Sequence, residues 1–485
     1  MITLIWLAIL VLVIIQYMRK VYSRFDDAGV SHFKPAPVVG NAGMQVTGKR
    51  HVSQDFDILY QTFSNDRFIG RYEMMRPTVI LRDLELIKKV AIKDFEYFID
   101  HRAVVDDTVD PLFGRNLFSL KGQEWKEMRS TLSPAFTSSK MRGMVPFMID
   151  VNKQMIGVLK KKIQTSENNY VDIECKDVTT RYANDVIASC AFGVKVDSHT
   201  DEDNEFYTKG RSTANFGFRR ILVFLGYASF PKLMKKLNIS LFSNETTQFF
   251  KNLVLSTMKE REDRNIFRPD MIHLLMEAKK GKLTYDEKTT DKADTGFATV
   301  EESDIGKKTV NRVWSDTDLV AQATLFFVAG FETISSAMSF ILHELAVNPD
   351  IQEKLYAEIM ENEANTNGKF DYNSIQNLTY LDCVISEALR LWPPAVGLDR
   401  MCVRDYNMGR ANEKSKKDFI PFGVGPRNCI GSRFALCEVK VMLYQLVQQL
   451  EVTVSDKTVI PAKLDTKTFN MRIDGGHWVR LKVRQ

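Results

Sequence analysis

Cys429 lies in the run Phe422 to Gly431, FGVGPRNCIG, where Phe422, Gly425, Arg427, Cys429 and Gly431 fall as F-x-x-G-x-R-x-C-x-G. Glycines permit a tight turn that brings bare backbone close to a bulky planar ligand. Converging amide N–H groups and a nearby arginine lower a thiol's pKa and favour the thiolate. A sulfur held that way can ligate iron. At the chain's own residue frequencies, a chance match to these five positions has a probability on the order of 10⁻⁴, which disfavours a merely structural cysteine.

Three groupings upstream have chemistry of their own. Ala329, Gly330, Phe331, Glu332 and Thr333 interrupt an apolar helical pattern with small and polar residues at one level. A hydroxyl and a carboxyl there can pass protons, although a mid-helix Thr bonding back to a carbonyl explains the pentapeptide alone equally well. Glu387 and Arg390, at i and i+3, share a helical face and can pair. Trp125 and Arg129 form W-x-x-x-R on another face, and a planar guanidinium suits bidentate binding of carboxylate.

Together these four motifs resemble the cytochrome P-450 superfamily of haem-thiolate monooxygenases, in which a cysteine holds the haem iron. The likeness is closest to insect microsomal members of the detoxification type. It implies haem b with Cys429 as axial ligand and Phe422 against the sulfur side of the haem. Gly425 and Gly431 would shape the loop, and Arg427, Trp125 and Arg129 would reach the propionates. Ala329 and Gly330 would leave room for dioxygen, with Thr333 and Glu332 as the catalytic hydroxyl and acid, and Glu387 with Arg390 would brace the cysteine loop. The implied partners are an NADPH-cytochrome reductase, cytochrome b5 as a second donor, a lipid membrane and an apolar small-molecule substrate.

Positioning these residues requires a mainly α fold with small β-sheets (α+β), one large haem domain behind an N-terminal membrane anchor helix. The periodicity predicts a buried helix over 316–348, capped by Ser315 or Asp316 and stopped before Pro349. Shorter helices are expected over 377–391 and 433–451, with short strands after Val452. His101 to Leu120 is expected as an irregular roof over the substrate pocket, which by resemblance Phe113, Phe118, Phe216, Phe326 and Phe327 would line. Phe216 to Leu241 interleaves apolar residues with Arg219, Arg220, Lys232, Lys235 and Lys236, a pattern suited to a lipid interface. Lys279 to Arg312 is polar and aperiodic, an exposed loop. Lys121, Lys126, Arg433 and Lys440 are candidates for a basic face that docks an acidic electron donor.

Composition bounds the rest. A net charge of +5 from 66 basic and 61 acidic residues is too slight to argue for nucleic acid. The six cysteines show no C-x-x-C pair, so they are expected as free thiols in a reducing compartment. The run Ile2 to Met18 spans about 26 Å as a helix, close to the endoplasmic reticulum bilayer. With no basic segment before it and Arg19, Lys20 and Arg24 after it, it is expected as a single-pass anchor leaving the body in the cytoplasm. The expected organisation is an anchor over 1–20, a proline-containing stalk over 21–45 and the haem domain over 46–485.

The chain departs from the family at one place. Only 39 positions separate Arg390 from Cys429, where the resemblance implies about twice that interval. The seam lies between Ile420 and Pro421, and the segment absent there is the family's meander, whose arginine would join Glu387 and Arg390. This leaves as one rival function a truncated, non-catalytic membrane-bound form with defective haem binding; a separate rival is a haem-thiolate isomerase or dehydratase that needs no reductase. No arginine stands at Gly397, where some relatives place another propionate ligand.

Overall fold

The computed structural model describes residues 2–102, 105–214, 217–281, 296–298, 300, 303–306, 312–409 and 419–484. Phe216 and most of the expected loop over Lys279–Arg312 lie outside them. So do residues 410–418, just before the seam.

The fold is mostly helical, organised around the long helix Asp316–Val347. Ser315 caps it, donating and accepting in a reciprocal pair with Asp318, and Pro349 begins the next helix after Asn348. Its middle is buried against the helix Cys175–Ile187, as a helix apolar on nearly every face must be. The polar side chains in that interior are paired. Lys176 Nζ donates to Ser335 Oγ at 2.6 Å and Ser336 Oγ at 3.0 Å, and Thr179 Oγ1 donates to the Ser335 carbonyl at 2.9 Å.

The helix Ser432–Gln449 follows the cysteine loop and packs on Ser138–Gln164. It feeds directly into β4 (Leu450–Thr453), which with β3 (Tyr170–Glu174) flanks β5 (Trp478–Val483) in an antiparallel sheet of order β3-β5-β4. Ile173 pairs with Val479 and Val452 with Leu481, so the apolar side of that sheet seals one edge of the core. A second sheet is the hairpin of β1 (Phe68–Glu73) and β2 (Arg76–Leu81).

The helix Ile2–Tyr22 is long and apolar enough to cross a membrane and is exposed over its apolar length. The long core helix passes the same test of length and composition but is mostly buried. Residues 21–45, expected as a stalk, are seated on the body. Phe25 packs on Tyr72 with ring centres 4.8 Å apart, and Asn41 is tied to Tyr72 in both directions at 2.7 and 2.8 Å. Burial of Val21 and Phe25 is what holds the segment down.

Two buried histidines give the fold an acid-sensitive side. Burial and, second, Arg181 pull His199 from 6.5 to about 4, and burial followed by Lys176 pulls His477 to about 3. The folded chain therefore keeps both neutral below pH 6.5 while the unfolded chain takes up protons. Stability is present above that pH and is lost on acidification, by up to about 1.4 kcal/mol per pH unit per group. Denaturant midpoints measured between pH 7 and pH 5 should fall, and His199→Gln should flatten the slope.

Candidate functional site

The cysteine loop is built by backbone geometry. Gly423 and Gly425 adopt φ of +76° and +77°, which an L side chain rarely adopts. A Cβ on Gly425 would collide with the Ala91 carbonyl oxygen, so this glycine lets the loop lie on the backbone of residues 89–93. Gly431 has ordinary φ. The Cys429 amide donates to the Phe422 carbonyl at 2.9 Å, closing the turn. The Cys429 thiol is exposed within an enclosed position, and burial pushes its pKa up; the Gly431 amide and Arg129 pull the other way and are outweighed. Desolvation thus outweighs the local amide and arginine at this thiol, and the charge of a bound metal would act in the opposite sense.

Arg427 is the strap of the site. Its Nε donates to the Ile99 carbonyl at 2.8 Å and Nη2 to Leu120 O at 2.8 Å, while Nη1 reaches Leu117 O at 3.3 Å and Phe118 O at 3.4 Å. Its guanidinium lies 4.0 Å over the ring of Trp125, which is itself 1% exposed. Arg129, on the same face of the helix Gly122–Leu132 as Trp125, donates to Asn428 O at 2.8 Å and Asn428 Oδ1 at 2.7 Å. Trp125 and Arg129 thus hold the two residues that precede Cys429 in the loop.

Sequence reasoning missed two members of this cluster. Residues 399–401 run beside 100–102, so Asp399 accepts from Arg102 N at 2.8 Å and contacts His101 Nδ1 at 3.0 Å. Arg400 follows, three residues beyond Gly397, and its Nε is buried without a hydrogen-bond partner. Burial and, second, the neighbouring Arg400 pull Arg427 down to about 9. Arg129, Arg400 and Arg427 therefore face Asp100 and Asp399 with positive charge left over. Their signal in the sequence was one Asp-Arg pair in a segment with no helical period.

This chemistry fits haem. A planar dianion would compensate the surplus guanidinium charge and could engage the orphaned Arg400 Nε. No group of three or more His, Cys, Asp or Glu among the described residues could hold a bare ion. A lone thiol suits an iron that brings its other ligands with it.

The long helix supplies the opposite wall. Ala329 and Thr333, one turn apart, are exposed on a helix otherwise buried around them, so this strip borders an internal hollow. Phe326, at the start of the strip, packs edge-on to Phe136 at 5.3 Å, and a Cβ on Gly431 would lie 3.8 Å from Phe136 Cε1. Phe136 thus bridges the strip's helix and the cysteine loop. Thr333 Oγ1 donates to the Ala329 carbonyl at 2.5 Å. Gly330 points elsewhere: its Cβ would meet Ile187 Cδ1 at 3.1 Å, so its smallness serves helix packing. Glu332 also faces away from Thr333, held by Lys176 Nζ at 3.2 Å and Arg472 Nη2 at 3.1 Å. Lys176 is pulled down to about 8 by burial, with Glu332 opposing.

Glu387 and Arg390 form a bidentate pair at 2.7 Å on the helix Thr379–Leu391, but both side chains are 57% exposed and each is the other's only charged partner among the described residues. Lys440, expected on a docking face, is 1% exposed and pairs with Asp382 at 3.1 Å; the helix turns it inward. Lys126 pairs with Glu96 at 2.7 Å. Phe113 is buried between Phe224 and Phe242, and Phe118 stacks on His101 at 4.5 Å. Phe327 is fully buried in an aromatic cluster with Phe250 and Phe206, on the far side of its helix from the Ala329–Thr333 strip.

Comparison with known proteins agrees with this geometry. The family profile described as Cytochrome P-450 matches residues 30–410 and 406–479, in two blocks that meet just before the cysteine loop. A Blattella germanica protein named cytochrome P-450 9e2 is 40% identical, covering 98% of this chain and 97% of its own length. The Drosophila melanogaster protein named probable cytochrome P-450 9f2 is 38% identical, covering 95% of each. The first alignment runs over 531 positions although the chain has 485 residues, so at least 46 positions of that relative have no counterpart here. Motifs, fold and relatives agree along nearly the whole length: the chain belongs to the cytochrome P-450 family.

Proposed function

We propose that the chain is a membrane-anchored haem-thiolate monooxygenase that inserts one oxygen atom of O₂ into apolar small molecules. NADPH supplies the electrons through a reductase, with cytochrome b5 as a second donor. The observation that carries this is the lone exposed Cys429 thiol, its loop bridged by Phe136 to the exposed Ala329–Thr333 strip, with a surplus of buried guanidinium charge beside it. The organisation we propose is an anchor over 1–20, a connecting segment over 21–45 and the haem domain over 46–485. The apolar first helix followed by Arg19, Lys20 and Arg24 supports anchorage in the endoplasmic reticulum membrane with the body in the cytoplasm.

Cys429 would ligate the haem iron, and Arg400, with Arg427, Arg129 and Trp125, would meet the propionates. Thiolate-ligated haem supplies dioxygen activation. The chain's own residues bind, orient and deliver protons. The Thr333 hydroxyl, parked on the Ala329 carbonyl, is the polar group of the strip and can turn to donate into the hollow. Glu332, clamped by Lys176 and Arg472, would hold a proton source one residue away, released by exchange of those partners. Retention of both Glu332 and Thr333 favours oxygen chemistry over an isomerase or dehydratase, which needs no proton delivery of this kind.

A second reading has its own observation. The exposed Glu387–Arg390 pair and the 46 or more positions missing against the first relative both support a shortened form whose cysteine loop lacks its usual brace. Haem retention would then be weak. An ion pair in solvent contributes little.

Expressed with haem precursor, the chain is expected to give a reduced carbon monoxide spectrum of thiolate type, and Cys429→Ala should abolish it. Comparison with a version carrying the relative's missing segment decides between the readings: equal haem per chain supports the enzyme, a large deficit in the short form supports the defective one. With NADPH and reductase, Thr333→Ala should lower product per NADPH consumed by roughly tenfold or more while NADPH consumption continues. Turnover without NADPH would contradict the monooxygenase assignment.

A further inference from the structure

The stretch ahead of the long helix, expected as an exposed loop, instead grips the body of the protein at its described residues. Arg312 Nη1 donates to Glu127 at 2.7 Å and Nη2 to Glu124 at 2.6 Å, both on the helix Gly122–Leu132. The same guanidinium lies 4.7 Å over the ring of Trp314, which is 2% exposed and donates from Nε1 to Thr131 Oγ1 at 3.1 Å. Upstream, the Ile305 carbonyl accepts from Ser130 Oγ. Further upstream, Phe297 N donates to Asp382 Oδ2 at 2.8 Å, and Asp382 pairs with the buried Lys440.

Glu124, Glu127 and Thr131 fall at i, i+3 and i+7 and make one stripe of the helix Gly122–Leu132, while Trp125 and Arg129, at i and i+4, make another. At about 100° per residue the two stripes lie on roughly opposite faces. The inner stripe holds Arg427 and Asn428, the two residues before Cys429. The outer stripe is held by Arg312 and Trp314. A helix gripped on two faces resists rolling about its axis. The ties extend further, since Asp382 belongs to the helix Thr379–Leu391 and Lys440 to the helix that leaves the cysteine loop. Glu387 and Arg390 lie in solvent, so the buried ion pair joining those two helices is Asp382 with Lys440, 4% and 1% exposed. One stretch of chain thus ties together three helices around that loop.

We propose that Arg312 and Trp314 are positioning residues that fix the roll of the helix Gly122–Leu132, and that this grip slows the loss of haem from the cysteine loop. Neither residue touches a reacting atom. A single ion pair in solvent contributes little. Here one planar guanidinium bridges two carboxylates and stacks on a buried ring, a geometry that an ammonium group cannot reproduce. Without the grip the helix can roll, and Trp125 and Arg129 then leave Arg427 and Asn428 together because they share a stripe. The effect on haem rests on the monooxygenase reading, whereas the grip itself does not.

Hydrogen–deuterium exchange on the full-length chain in lipid nanodiscs, prepared with haem, separates the two. In Arg312→Gln, amides of the helix Gly122–Leu132 should exchange about fivefold faster, with the long helix unchanged. Arg312→Lys should restore only part of the protection. Raising salt from about 0.1 M to about 1 M should speed exchange in the parent chain and not in Arg312→Gln, because screening acts on the ion pairs. Combining Arg312→Gln with Glu127→Gln should be less than additive. Haem transfer to an excess of apomyoglobin should be faster in Arg312→Gln by a factor similar to that of the exchange. Unchanged exchange in Gly122–Leu132, or equal acceleration in Ser138–Gln164 and Asp316–Val347, overturns the grip. Faster exchange with unchanged haem transfer keeps the grip but overturns its role in haem retention. Absence of a thiolate-type carbon monoxide spectrum from the parent chain would count against the enzyme reading without touching the exchange result.

Discussion

The Arg427 guanidinium is the interaction on which the site depends. It is buried, repelled by Arg400 and Arg129, and compensated mainly by carbonyl dipoles from residues 99, 117, 118 and 120 and by the face of Trp125. Burying a cation costs several kcal/mol unless its donors are met. The carbonyls that meet them come from the irregular segment between Ile99 and Leu120. Residues 117–120 and the cysteine loop are therefore held as one mechanical unit. The same repulsion prepares the site for an anion. Two carboxylates of a planar ligand would relieve it, so ligand binding and loop order reinforce each other.

The long helix divides its work by face. One strip, Phe326 through Thr333, borders the hollow, while Gly330 and Phe331 pack against helices behind it. Glu332 belongs to the back, in a buried cluster with Lys176 and Arg472. At 3.6 residues per turn, adjacent residues diverge by about 100°. Neighbours in a motif therefore need not share a site. The Glu332 carboxylate is stabilised by two cations on the back of the helix, while the Thr333 hydroxyl, bonded to the Ala329 carbonyl, belongs to the exposed strip.

Glu387 and Arg390 bear on how the cysteine loop is supported. The pair is well formed but lies in solvent, where a bidentate contact adds little to stability. The same two residues beneath a covering segment would be desolvated and joined to further partners. Leu391, Leu398 and Val403, in the segment that follows, are also exposed. Apolar surface left in water is a cost to the fold.

The sequence by itself determined the family, the helical class, the long core helix with its Ser315 cap, and Cys429 with Trp125, Arg129 and Arg427 around it. Each is carried by local spacing: five positions around a cysteine, or side chains i and i+4 on one helix. Tertiary structure alone decided which of these residues face one another. It turned Glu332 and Gly330 away from the hollow, sank Lys440 and Phe327 into the core, and raised the Cys429 thiol through burial that local amides do not offset. It also brought in Arg400, Asp399 and His101, and drew Arg312 onto Glu124 and Glu127. Those contacts join chain segments that are mostly more than a hundred residues apart, and no periodicity encodes them, because burial and pairing depend on what the rest of the chain places alongside.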